Sequence, residues 1–348
     1  MQLQRPKTIV TKLRISVVQY LNTAPLVRGF THGPLQRKYD LSFTVPSQCA
    51  EALRAGAADV AIIPAIEYQR IVSQGIGLTI LPGLAIASKE RVRSLLLISK
   101  VPIRQARRIA LDRSSRSTQA LTKILAAQRW QIAPEFVQAD PDPAAMLADA
   151  DAALVIGDVA LRIAIAAEAH VTPGPDGEWL TPAAALADSL VATQYIAPAE
   201  RLHEASSAIL AVAFRAVRQF HIYDVVKEWW HLTEKPAVLA LWAARNEVLT
   251  ANPELAQDFL ASRDFGLTQI PQIAADAAQE MLLPENELRL YLEKNIDYTL
   301  DDENLQGLLS FFHRSHALKL IGPLQPITIA GSATTPALHM ATYAQKRA

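Results

Sequence analysis

A β-branched run that breaks on an amide, a hydroxyl and a proline limits what this chain can build near its start. Arg14-Ile15-Ser16-Val17-Val18-Gln19-Tyr20-Leu21-Asn22-Thr23-Ala24-Pro25-Leu26 opens with the alternation of a strand, behind the basic Lys12 and Arg14. Pro25 cannot donate to a ladder, so the strand stops near Asn22. Asn22 and Thr23 therefore lie at the C-terminal end of a strand, where open α/β sheets hold ligands. The same residues also suit an ordinary turn. The next segments shift the balance towards a ligand site. A second strand spans 41–45, and a helix opens at Pro46 with Ser47 as N-cap and Gly56 as its stop. Asp59-Val60-Ala61-Ile62-Ile63-Pro64 is a continuous apolar run of the kind buried on both faces of a parallel sheet. This alternation belongs to an α/β layer fold.

Short apolar runs at 78–81 and 84–87 flank Pro82-Gly83, and Ser94 stands at the entry to the strand Leu95–Ser99 with Arg91 and Arg93 before it. A second α/β unit starts with the strand Arg108–Leu111. Its loop, Asp112-Arg113-Ser114-Ser115-Arg116-Ser117-Thr118, runs into a helix over 119–130. The first N–H groups of a helix lack intrahelical partners and carry partial positive charge. Hydroxyls and arginines at such a start exceed what N-capping needs, so Ser115, Arg116, Ser117 and Thr118 are candidates for an anion site, with Arg113 as an alternative source of charge. The strand at 152–156 ends in Gly157-Asp158, where Gly157 permits close backbone approach and Asp158 caps the next helix or meets a ligand.

Residues 162–222 are Ala-rich and mostly helical in pattern. Pro236–Ala243 reads as another strand, the chain from about 246 is helical, and from Gly331 it loses periodicity, as disordered tails do. Two crossings between two α/β units give a two-lobed fold with a central cleft. The expected limits are 1–97 plus 244–330 for lobe 1, 98–243 for lobe 2 with an insertion at 162–222, and 331–348 for a disordered tail.

Composition narrows the function. Lys plus Arg and Asp plus Glu both number 34, so the net charge of zero offers nothing to nucleic acid or an acidic membrane. No apolar run is long enough for a membrane span, and the basic start lacks the apolar core of an export signal. The lone Cys49 allows no internal disulfide, which fits a reduced, cytoplasmic setting. No phosphate-binding glycine loop or metal-ligand spacing is visible, and His313 and His316 have no carboxylate-rich partner motif. No metal or redox cofactor is expected.

Taken together these segments resemble the chorismate dehydratase family of the futalosine route to menaquinone. The resemblance runs from about Arg14 to about Gly322. It rests on Tyr20-Leu21-Asn22-Thr23-Ala24-Pro25-Leu26, on Val45-Pro46-Ser47 with Leu53, Gly56 and Asp59, and on Val92-Arg93-Ser94. It continues through Ser99-Lys100-Val101-Pro102, Ser114 to Thr118, Ile156-Gly157-Asp158 with Ala160-Leu161, and Pro236 with Trp242. It implies a periplasmic-binding-protein-like (type II) fold and loss of water from chorismate. It further implies Asn22 and Ser94 as a catalytic pair, with Thr23, Ser115, Arg116, Ser117, Thr118 and Asp158 binding substrate. Other readings are a non-catalytic bilobal receptor for a small anion and the related dihydroxynaphthoate-forming enzyme. The chain departs from the family at Lys89-Glu90-Arg91, where Asp-Gly-Pro is usual, at Arg116-Ser117-Thr118, where Arg-Thr-Ser is usual, and in the length of 162–222. That insertion would form extra helices, a cap on the cleft or a subunit contact, which allows a homodimer.

Overall fold

The computed structural model describes residues 12–175, 177–186 and 217–331. Two sheets organise them. The first holds β1 (Arg14–Val18), β2 (Asp40–Thr44), β3 (Val60–Pro64), β4 (Leu78–Ser88) and β12 (Ala237–Arg245), in the order β2-β1-β3-β12-β4. In it β1 lies parallel to β2 and β3, while β12 runs antiparallel to β3 and β4. The second holds β5 (Leu95–Ser99), β6 (Arg108–Asp112), β7 (Glu135–Ala139), β8 (Ala152–Ile156), β9 (Thr172–Pro173), β10 (Trp179–Pro182) and β11 (Gln219–Asp224), in the order β7-β6-β8-β5-β11-β10-β9. It repeats the plan: β6 is parallel to β7 and β8, and β5 is antiparallel to β8 and β11.

Burial follows strand position. Every residue of β3, β5 and β8 is buried, as expected of strands covered on both faces, whereas the edge strands β2 and β7 hold only exposed or half-buried residues. Each buried Val, Leu or Ile contributes roughly 1.5–3 kcal/mol, so these short central runs anchor the lobes. Helices α1 (Ala24–Thr31), α2 (Pro46–Arg54) and α3 (Ala65–Val72) follow β1, β2 and β3. Helices α4 (Ser117–Leu125), α5 (Pro143–Asp149) and α6 (Gly157–Glu168) follow β6, β7 and β8.

Sheet pairing moves the expected lobe boundaries. Limits at 97/98 and 243/244 fall inside β5 and β12. All of β5 belongs to the second sheet and all of β12 to the first, so the crossings are 89–94 and 225–236. The Ala-rich stretch is also only partly helical. After α6 it forms β9 and β10, which extend the second sheet through β11. The remainder of the expected insertion, residue 176 and 187–216, lies outside the described residues, as does the tail from 332.

Local starts and stops differ by a few residues from expectation. Helix α2 begins at Pro46 with Val45 as N-cap, so Ser47 lies inside its first turn. Gly56, at φ 71°, is the left-handed residue that ends it. Helix α4 begins at Ser117, two residues early, and turns to π geometry over Ala126–Trp130.

Candidate active site

The strand ends of the two lobes face one another across a cavity of about 60 Å³. Lobe 1 supplies Val18, Tyr20 and Asn22 from the end of β1, Pro46 and Pro64 from the starts of α2 and α3, and Ile86, Leu239 and Ala240 from its antiparallel strands. Lobe 2 supplies Leu95, Ser115, Arg116, Ser117, Thr118, Ile156 and Gly157. Small-molecule pockets commonly enclose roughly 300–1,000 Å³, so the cleft is shut.

Direct bonds between lobes hold it shut. The Leu21 N–H donates to Asp158 Oδ1 (3.0 Å), the Ser47 N–H to the Ser114 carbonyl (3.2 Å), and the Ile66 N–H to Ser117 Oγ (3.2 Å). Gly157 has φ 68°, and a Cβ there would lie 2.7 Å from the Tyr20 ring. This position therefore demands glycine twice, for its backbone and for its neighbour. Beyond the cavity, the buried Arg93 spans the lobes by pairing with Glu168 of α6 (2.6 Å) and Glu287 of the helix Glu285–Leu290 (2.7 Å). Asp224 accepts the Val92 and Arg93 N–H groups (3.0 and 2.7 Å) while capping the helix Val225–Thr233, and so joins both crossings.

The serine-rich loop is built from below. Asp112 accepts the Ser114 N–H (2.8 Å) and hydroxyl (2.6 Å), closing a turn, and Gln119 Nε2 reaches back to the Asp112 carbonyl (2.7 Å). This turn brings Ser115, Arg116, Ser117 and Thr118 together on the cavity wall at the start of α4. Arg113 points elsewhere: it is exposed and pairs with Asp140 (3.1 Å). Among the described residues Arg116 is the one charged side chain on the wall.

Asn22 also reaches the wall, but its expected partners stand behind it. Thr23 is buried and its hydroxyl donates to Asn22 Oδ1 (3.3 Å). Ser94 is 1% exposed and does not line the cavity. Successive side chains of an extended backbone point to opposite sides, and here Leu95 takes the cavity side. Ser94 Oγ instead accepts the Tyr291 hydroxyl (2.9 Å). Tyr291 is a site residue that sequence reading missed. Asp158 does not cap its own helix and is not among the residues of this wall. It receives Leu21 across the cleft, and burial pushes its carboxyl up to about 6, against the Leu21 N–H and Arg162. Burial, with Asp112 and Asp158 nearby, also raises the Tyr20 phenol, which stays protonated.

The departure at 89–91 lies at the first crossing, off the cavity wall. Lys89 pairs with Glu303 (2.6 Å), and Arg91 pairs with Glu168 and stacks over Trp179 at 4.7 Å. Among the described residues no cluster of three His, Cys, Asp or Glu side chains is placed to hold a metal, and no helix is long and apolar enough to cross a membrane.

Two α/β lobes, two crossings and a cleft between strand ends define the periplasmic-binding-protein fold. Solved structures agree. AF1704 from Archaeoglobus fulgidus matches with a TM-score of 0.58 at 14% identity, covering 89% of this chain and 98% of that one. The alkanesulfonate-binding protein SsuA from Xanthomonas axonopodis pv. citri, bound to MOPS, gives 0.56 at 14%, with 89% and 94% covered. The periplasmic aliphatic sulphonate binding protein SsuA from Escherichia coli gives 0.52 at 15%, with 89% and 93% covered. At these identities the likeness is one of fold. The chain belongs to the menaquinone biosynthesis family, whose model matches residues 13–172 and 201–317.

Proposed function

We propose that this protein is a cytoplasmic hydro-lyase that converts chorismate to 3-[(1-carboxyvinyl)oxy]benzoate and water, the first step of the futalosine route to menaquinone, without a cofactor. Family membership supports the pathway. The observation that carries the reaction is the facing pair across one cavity: the Asn22 amide on lobe 1, and Arg116 with three hydroxyls at a helix N-terminus on lobe 2.

Chorismate carries two carboxylates, and the start of α4 suits the ring carboxylate through Arg116, Ser115, Thr118 and free backbone N–H groups. The C3 proton is vinylogous to that carboxylate. Stabilising the charge that moves into it as the C–H bond breaks is an oxyanion-type effect of roughly 3 kcal/mol per donor. The wall offers no base of its own among the described residues. A guanidinium does not deprotonate, an amide does not titrate, and burial keeps Tyr20 a phenol. The substrate's enolpyruvyl carboxylate therefore takes the C3 proton. Asn22 hydrogen-bonds the C4 hydroxyl, which leaves with a proton as water while the ring becomes aromatic. The shut cavity is too small for the substrate, so the lobes part to admit it and close to hold the reactive conformer.

The test is incubation of purified protein with chorismate, with no metal or cofactor added, following products by mass. A product lighter by one water with an aromatic ultraviolet spectrum supports the lyase. Chorismate bound but unchanged replaces it with a receptor.

A further inference from the structure

A second recess opens beside the reaction cavity, on the seam between the lobes. It holds about 290 Å³, against about 60 Å³ in the cavity. Lobe 1 supplies most of its wall: Glu51 and Arg54 of α2, Glu67 and Arg70 of α3, and Gln74 just beyond α3. Lobe 2 supplies Arg116, which among the described residues is the one that lines both spaces. Arg116 precedes Ser117 and Glu67 follows Ile66, so the recess adjoins the Ile66–Ser117 bond that joins the lobes.

The wall is built around one buried carboxylate. Glu67 is 3% exposed and holds both Arg54 (2.6 Å) and Arg70 (2.8 Å). Arg70 also donates to the Leu320 carbonyl (3.2 Å), and Arg54 pairs with Glu51, so both guanidiniums are fixed in place. Arg116 differs. It is half-buried, and its side chain has no hydrogen bond or ion pair among the described residues. Three guanidiniums meet two carboxylates here, and the surplus charge is that of Arg116. A planar guanidinium with unused donors matches a carboxylate. The recess is close to the roughly 300 Å³ at which small-molecule pockets begin, and the shut cavity is not. We propose that the recess is a second site, for an organic carboxylate of about the substrate's size, whose occupant inhibits the enzyme by engaging Arg116. Its effect on turnover rests on the dehydratase reading, in which Arg116 serves the ring carboxylate inside the cavity; the site itself does not.

The experiment is steady-state kinetics of the wild type, Gln74→Glu and Gln74→Lys over a wide range of chorismate, with a second series containing benzoate. Gln74 is exposed and lies off the cavity wall, so either charge enters the recess without disturbing the core or the reaction cavity. The wild-type rate should pass through a maximum and fall at high chorismate. Gln74→Glu should move that fall to about fivefold higher concentration and Gln74→Lys to about fivefold lower, the scale of one added charge in a solvated site. At low chorismate kcat/KM should stay within about twofold of the wild type. Inhibition by benzoate that shifts in the same two directions, with no fall in excess chorismate, supports the site and gives it to a carboxylate other than the substrate. No inhibition of either kind, or inhibition alike in all three proteins, overturns the proposal. Should the wild type not turn chorismate over, the dehydratase reading fails, and calorimetric titration with benzoate tests the recess alone. Binding weakened in Gln74→Glu and strengthened in Gln74→Lys supports the site, whereas equal affinities or no binding overturn it.

Discussion

The lobes share one plan and differ in the groups they present at the cavity. Strand order β2-β1-β3-β12-β4 in lobe 1 corresponds to β7-β6-β8-β5-β11 in lobe 2, and in each the fourth strand is antiparallel and enters from the other lobe. The junctions after corresponding strands differ. After β1 the chain makes a short 3-10 turn, Leu21–Thr23, before Pro25, and presents one uncharged amide. After β6 it makes a turn around the buried Asp112 and presents hydroxyls, a guanidinium and an open helix start. After β3 the first turn of α3 spends an N–H on Ser117 of the other lobe, while after β8 the Gly157 N–H goes to the Ser94 carbonyl. Equivalent places in the fold thus carry an amide on one side and hydroxyls with a guanidinium on the other, to which the proposed reaction gives orienting and anion-binding roles. The fold supplies strand ends, and the chemistry comes from the few residues just beyond them.

The comparison breaks most severely at Gly157. Alanine there takes on a left-handed backbone, at roughly 1–2 kcal/mol, and its Cβ meets the Tyr20 ring. Turnover should fall about 100-fold or more as closure fails, and scattering should report a more open molecule. Wild-type turnover would mean that the lobes need not meet there. A smaller effect is expected for Ser117→Ala, which removes a cradle hydroxyl and strands the Ile66 N–H. Loss of one hydrogen bond of about 1 kcal/mol should raise KM roughly fivefold, read by steady-state kinetics.

Asp158→Asn sharpens the role of the cross-lobe bond. Folding raises this carboxyl to about 6, so the folded protein binds the proton more tightly than the unfolded chain does. Wild-type stability should then decline as pH rises from about 4 to about 6. Asparagine still accepts the Leu21 N–H without the charge, so the variant should lack that decline and melt higher than wild type at neutral pH. The two melting curves should converge in acid. A wild-type curve no steeper than the variant's would mean that the carboxyl is well solvated. The smallest effect belongs to Arg113→Gln. Its exposed pair with Asp140 should be worth under about 1 kcal/mol, and KM should not change.

Much of this arrangement was legible in the sequence. The apolar runs at β1, β3, β5, β8 and β12 identified an α/β chain with two crossings, because strands buried on both faces leave a local signature. The ladders that β5 and β12 join were not legible, since a strand's partner is set by distant pairing and not by its own periodicity. The alanines after α6 suggested helix, although Trp179–Pro182 forms a strand by pairing with β11. At the site, Asn22 and the residues 115–118 could be read from strand ends and a helix start. Tyr291 carried no such signal: it sits in a helical segment, and its contact with Ser94 joins residues far apart in the chain. That Leu95 and not Ser94 lines the cavity was not legible either, because which side of the backbone faces the cleft is set by packing.

The most direct measurement is steady-state kinetics on chorismate for Asn22→Asp and Arg116→Gln side by side. The division of labour predicts that Asn22→Asp lowers kcat by about 100-fold or more, the scale of a lost catalytic donor, with little change in KM. It predicts that Arg116→Gln chiefly raises KM, by roughly 10- to 100-fold for a charged hydrogen bond. Full activity in Asn22→Asp, or a loss confined to kcat in Arg116→Gln, would contradict it.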